Sequence, residues 1–144
     1  HSLLVLLAFK KEEGMPITYS VSSDGHVIRA IAGGHVTPEE FVDYEIDHAI
    51  DKRIKSPVTE LFEIRYNALK NITMDEMKKV LERRGENKTP HTIHRCAIVV
   101  SPNDTHGWNL AKFYEGMTIL HAPESVIVFG DPVVAASWLG IEHD

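Results

Sequence analysis

Cys96-Ala97-Ile98-Val99-Val100 is an uninterrupted apolar run that opens directly onto Ser101-Pro102-Asn103-Asp104-Thr105-His106-Gly107 and then Trp108. Such a run suits a strand covered on both faces, as in a parallel sheet. The segment after it reads as a helix start, with Ser101 as N-cap, Pro102 at the first helical position and Asp104 three residues after the cap. A strand feeding a capped helix is part of a βαβ unit, so this stretch selects an α/β fold. In open α/β sheets ligands bind where strand C-termini meet helix N-termini. Arg65, Asn67, Ser101, Asn103, Asp104, His106 and Trp108 are therefore the candidate ligand-binding residues.

The remaining pattern supplies the rest of the sheet. Ile17 to Ser22 alternates, Ser23-Asp24-Gly25 carries the Asp-Gly hairpin signal, and His26 to Ala32 resumes a strand, which makes an antiparallel hairpin. Thr37-Pro38-Glu39-Glu40 is a capping box with proline at the first helical position; Val42, Ile46, Ala49, Ile50 and Ile54 then recur at helical spacing and are expected to face the core. Leu61-Phe62-Glu63-Ile64-Arg65 reads as a third strand. Thr73-Met74-Asp75-Glu76 is a second capping box, ahead of a helix with Met77, Val80 and Leu81 on its apolar stripe and Gly85 just past its end. Residues 86–90 read as a polar loop. Ser125 to Phe129 is another near-continuous apolar strand, and Asp131-Pro132 opens a last helix that Gly140 stops. The order is β-β-α-β-α-β-α-β-α: a mixed sheet of four or five strands with an N-terminal antiparallel hairpin and right-handed parallel crossovers.

One domain is expected over residues 15–140, followed by a short tail at 141–144. Residues 1–14 form an N-terminal extension. Leu3-Leu4-Val5-Leu6-Leu7-Ala8-Phe9 is too short to span a bilayer, which takes about 20 residues. Met15-Pro16-Ile17 reads as a start, and Lys10-Lys11-Glu12-Glu13-Gly14 is encodable by codons resembling a ribosome-binding site, so 1–14 are expected to be translated upstream sequence. A net charge of -6 argues against nucleic acid as a partner. A single cysteine excludes an intramolecular disulfide and fits a cytoplasmic protein.

Met15-Pro16-Ile17, Gly34-His35-Val36-Thr37-Pro38-Glu39, Leu61 to Arg65, Ala97-Ile98-Val99 and Phe129-Gly130-Asp131 through Ala136-Ser137-Trp138-Leu139-Gly140 come in the order found in small bacterial SpoIIAA-like proteins. On these segments the chain resembles the STAS-like superfamily, related in fold to CRAL-TRIO lipid-carrier domains, over residues 15–140. The resemblance implies a mixed sheet with helices packed on it. It further implies a non-catalytic regulatory or protein-interaction module, or a carrier of a small apolar molecule or lipid in a pocket between helices and sheet. The sporulation protein that names the family is switched by phosphorylation within an Asp-Ser-Ser-Gly type segment after the third strand. Here that stretch is Tyr66-Asn67-Ala68-Leu69-Lys70-Asn71-Ile72-Thr73, which lacks the segment. The switch is not carried over.

The residues suggest no catalytic constellation and no cofactor. Cys96 lies within an apolar strand, where burial makes a thiol inert. Ser101, Asp104 and His106 are too close along one loop to form an oriented triad. His35, His48, His106 and His121 have no ligand-like spacing, and His91 and His94, three apart on a strand, face opposite sides. Glu39, Asp43, Asp47 and Asp51 form an acidic row that reads as a solvated helix face, with docking of a basic partner as the sharper alternative. Trp108, Leu110, Ala111, Tyr114 and Met117 suit helix-on-sheet packing. Arg29, Glu63 and Arg65 read as lying on strands; if Arg29 and Glu63 meet across neighbouring strands they form a cross-strand pair, with a ligand-facing role as the sharper alternative. The partner is a protein or a small apolar ligand, and a homodimer is left open.

Overall fold

The computed structural model describes residues 16–86, 93–121 and 125–142, without the side chains of 84–86, 93–94 and 120–121. The expectations for residues 1–14, for most of the loop at 86–90, for His91 and for the side chains of His94 and His121 lie outside the described residues. The elements are β1 (Ile17–Val21), β2 (Val27–Ala32), α1 (Pro38–Ala49), β3 (Val58–Ile64), α2 (Met74–Glu86), β4 (Ile93–Val100), α3 (Thr105–His121), β5 (Ser125–Phe129) and α4 (Pro132–Leu139). Their order is the one expected from the sequence.

The strands lie in the order β1-β2-β3-β4-β5. β1 and β2 pair antiparallel and all later neighbours pair parallel. Gly25, at φ +83°, makes the hairpin turn and lies against the loop before β3; a Cβ there would meet the Arg53 carbonyl at 2.4 Å. Each parallel strand is added on the same side of its predecessor. Right-handed crossovers of that kind put all their helices on one face. α1, α2 and α3 therefore share what we term the inner face, α1 packing on α2 and α2 on α3. α4 follows the last strand and turns back to cover β3 and β4 from the outer face.

Two cores result. The inner one takes alternate strand residues, among them Ile28, Ala30, Val58, Phe62, Ile64, Cys96, Ile98, Val100, Val126 and Val128, together with Leu69, Ile72, Val80 and Leu110 from the crossovers. The outer one is smaller and holds Leu61, Ala97, Val99, Ala135 and Leu139. Arg95 donates to the Trp138 carbonyl at 2.6 Å and lies over the Trp138 ring, and Arg29 donates to the Glu142 carbonyl at 2.6 Å. Arg95 meets a carbonyl of the last turn of α4, where the helix dipole favours a cation, and Arg29 meets one three residues beyond that helix.

Several expectations change. β3 starts at Val58 and ends at Ile64, so it includes Glu60 and excludes Arg65. Gly85 lies inside α2. β5 is an edge strand whose outer side leaves Ile127 exposed. Arg29 sits opposite Leu61 and Glu63 opposite Ile31, which makes Arg29 and Glu63 diagonal neighbours across β2 and β3. On α1 the buried residues are Tyr44 and His48, with Phe41 packed beside them, whereas Ile46 and Ile50 face solvent. Ile54 is buried as expected, but the stripe read from the sequence took in the exposed Ile46 and Ile50 and left out Tyr44 and His48, so it is rotated from the true core face.

Candidate functional site

The loop after β4 is the first place to look, and its polar groups are spent on one another. α3 begins at Thr105, so Ser101 is not its N-cap. Asp104 is: its carbonyl accepts from Trp108 N–H at 2.8 Å, and Oδ1 accepts from Gly107 N–H at 3.0 Å. The other carboxylate oxygen accepts from Asn67 N–H at 3.0 Å, so one buried side chain caps α3 and ties down the loop after β3. Asn67 adopts φ 62°, a conformation asparagine tolerates better than most residues. A Cβ on Gly107 would lie 2.6 Å from Asp104 Oδ2, so the residue at the third helical position must be glycine for the carboxylate to fit. Ser101 Oγ accepts from Asn103 N–H at 3.3 Å, and His106 Nε2 lies 2.7 Å from the Ile72 carbonyl. Trp108 packs against the inner core, and Arg65 and Asn103 are exposed. The structure thus brings Asn67 to Asp104 and Ser101 to Asn103, and sends His106 and Trp108 elsewhere. The strand order never reverses among β2 to β5, so no crevice of the switch-point type opens at these loops.

The concavity lies on the inner face, between the three helices and the sheet. Phe41, Tyr44 and Glu45 of α1 line one side, with Met77 and Val80 of α2. Leu110, Ala111 and Tyr114 of α3 line the other. The floor is Glu60, Phe62 and Ile64 of β3 with Cys96 and Ile98 of β4, and Leu69 closes one end. The cavity has a volume of about 50 Å³ and is partly open to solvent. Phe41, Glu45 and Tyr114 are half-buried, which places the opening beside them.

Its polar groups come from a short network. Tyr44 O–H donates to Glu60 Oε2. Glu60 is only 5% exposed and sits opposite Cys96 in the register of the central strands. Burial, and next the negative charge and hydrogen bond of Glu60, push the Tyr44 hydroxyl well above the usual tyrosine range, so it stays a proton donor. His48, fully buried, lies against Tyr44 with ring centroids 4.9 Å apart and the rings tilted by 59°, and its Nε2 lies 2.9 Å from Glu45 Oε2. Tyr19, edge-on to Tyr44 at 5.7 Å, donates to Asp51 at 2.8 Å. Burial, followed by that hydrogen bond, pushes Tyr19 up to about 12. Asp51 also accepts from Arg53 at 2.6 and 3.0 Å, and these bonds are the main reason its carboxyl is held below the usual range.

Glu60 and Tyr44 were not among the residues singled out from the sequence. The signal was present in Val58-Thr59-Glu60-Leu61-Phe62-Glu63-Ile64: with period two, Glu60 shares a face with Val58, Phe62 and Ile64. An acid in phase with three core residues marks either an error in register or a buried functional group. Of the acidic row read from the sequence, Glu39 and Asp43 are exposed on α1, and Asp51, just beyond that helix, is engaged by Tyr19 and Arg53. Among the described residues no group of three or more potential ligands is placed to hold a metal ion, and no helix is long and apolar enough to cross a membrane. Compared with known proteins, the chain matches no family model, no curated protein and no solved structure.

Proposed function

We propose that this chain is a non-catalytic binding module of the STAS-like kind, and that it holds a small, mostly apolar molecule in the inner-face cavity. The observation that supports this is the cavity itself: an apolar space, partly open, with its few polar atoms gathered on Glu60, Tyr44 and the mouth residues Glu45 and Tyr114. Ligand sites generally combine an apolar lining with a small number of placed polar groups. Size narrows the reading. Drug-sized ligands occupy about 300 Å³ or more, whereas this cavity measures about 50 Å³. The occupant is therefore a few non-hydrogen atoms, or the end of a longer molecule that projects through the opening. A fully enclosed lipid chain does not fit.

Native mass spectrometry of the chain purified from its own host tests this. A retained small molecule is expected in the wild type and a reduced amount in Ala111→Val, whose added methyl groups enter the cavity from α3. A wild-type chain that is bare in native spectra and in solvent extracts contradicts the reading. A second reading, a protein-interaction module, is favoured by Ile46 on α1 and Ile50 at its C-cap, 44% and 73% exposed. If that face binds a partner or a second copy, Ile46→Ser with Ile50→Ser lowers the sedimenting mass of the complex; equal mass contradicts it.

A further inference from the structure

We infer that the inner-face cavity selects a small organic amine, with Glu60 holding its ammonium group and the apolar lining holding its body. This rests on the reading of the cavity as a ligand site and names the class of ligand.

A buried carboxylate is costly unless a cation or several donors accompany it. Glu60 is 5% exposed, and the hydrogen bond it accepts comes from the uncharged Tyr44 hydroxyl. Among the described residues no lysine, arginine or histidine lines the cavity, and no salt bridge reaches Glu60. Among the described residues that line the cavity, this acid is surrounded by aromatic and aliphatic side chains and by no opposite charge. An ammonium entering from the mouth supplies it, in surroundings where the attraction is weakly screened.

The rings beside Glu60 suit the same ligand. Phe62 lies edge-on to Tyr44 with centroids 5.2 Å apart and stacks on Phe41 at 6.0 Å, so aromatic surface lies beside the carboxylate. Ring faces attract cations. A second carboxylate, Glu45, stands at the half-buried mouth. An anionic ligand such as a carboxylic acid would meet Glu60 and, among the described lining residues, no lysine, arginine or histidine. An alcohol could donate to Glu60 but would leave its charge uncompensated. A metal ion is a poorer match, since no three ligating groups converge there among the described residues.

A matched series on the full chain tests this: n-butylammonium, n-butanol and butyrate, titrated by two-dimensional ¹H–¹⁵N NMR at neutral pH. The expected order is butylammonium tightest, butanol weaker by about tenfold, equivalent to about 1.4 kcal/mol, and butyrate without saturable shifts. In Glu60→Gln, which keeps an acceptor for Tyr44, butylammonium is expected to fall to the affinity of butanol. Butanol or butyrate binding as well as butylammonium to the wild type overturns the amine assignment and leaves the cavity a ligand site. No saturable binding by any of the three overturns both. The wild-type series decides the matter even if Glu60→Gln does not fold.

Discussion

On the outer face of the sheet two arginines, Arg29 and Arg95, end on backbone carbonyls near the C-terminal end of α4; on the inner face a buried glutamate, Glu60, ends in a cavity beside one tyrosine hydroxyl. The outer charges are matched by fixed dipoles of the fold, and the apolar residues between them, Leu61, Ala97, Val99, Ala135 and Leu139, form a closed cluster. Among the described residues, the inner charge meets a neutral donor, the Tyr44 hydroxyl, and the cavity. A charge met by the backbone serves the packing of its own helix. On the proposed reading, the charge in the apolar cavity is matched by a ligand that enters. Identical strands carry both, since Leu61 and Phe62, one residue apart, point to opposite sides.

The largest expected effect comes from adding a charge to the outer face. Val99→Asp puts an unpaired carboxylate among Leu61, Ala97 and the α4 residues and should cost about 4 kcal/mol or more, enough to unfold a domain of ordinary stability. A thermal melt near that of wild type would show that the outer cluster is not a closed core. The inner face should respond to the opposite change. Tyr44→Phe leaves the Glu60 carboxylate without its donor and should cost about 1–3 kcal/mol by chemical denaturation. Adding Glu60→Leu removes the stranded group and should recover most of that loss. If the double variant is no more stable than the single one, the pair is worth more to the fold than to a ligand.

The loop after β4 separates the faces and gives a smaller effect. Asp104→Ala removes a helix cap and the tie to Asn67, and should cost about 1–2 kcal/mol. Ser101→Ala should stay within about 0.5 kcal/mol, as for surface changes generally. A reversal of these two would restore Ser101 as the cap.

That pair also shows what the sequence made legible. Both Thr37 and Thr73 were readable as starts of capping boxes because the partners are three residues away; Thr73 N–H donates to Glu76 at 3.0 Å, and Glu76 N–H donates back to Thr73 Oγ1 at 3.1 Å. At residues 101–107 two acceptors compete, and what selects Asp104 is Asn67, 37 positions away. Local chemistry names the candidates, and a tertiary contact chooses between them. Element order and hairpin were legible for the same reason that the cavity was not. Strand and helix periods are local, whereas Glu60, Tyr44, Cys96 and Ala111 converge only once three crossovers lie on one face. The α1 stripe failed because its core face is aromatic and polar, matched to Tyr19 and Glu60 across the sheet rather than to other aliphatic residues.

The smallest expected effect is on pH dependence. Tyr19 titrates at about 12 in the fold, against about 10 in an unfolded chain. Its contribution is complete below the unfolded value and is lost as pH rises through the folded one. Asp51 has the opposite sign: its pKa is depressed, so its contribution holds above the usual carboxylate range and is lost as pH falls through the depressed value. Melting temperatures between pH 9 and pH 12 should fall less steeply in Tyr19→Phe than in wild type. Parallel curves would show that the Tyr19–Asp51 bond does not stabilise the fold.

The most direct test of the inner face as the binding face is the map of amide shifts when the wild-type chain is saturated with n-butylammonium. The shifts are predicted to cluster at Phe41, Glu60, Cys96 and Ala111, with Ala135 and Leu139 of the outer face unmoved. Shifts centred on the loop at residues 101–107, or on α4, would contradict the account.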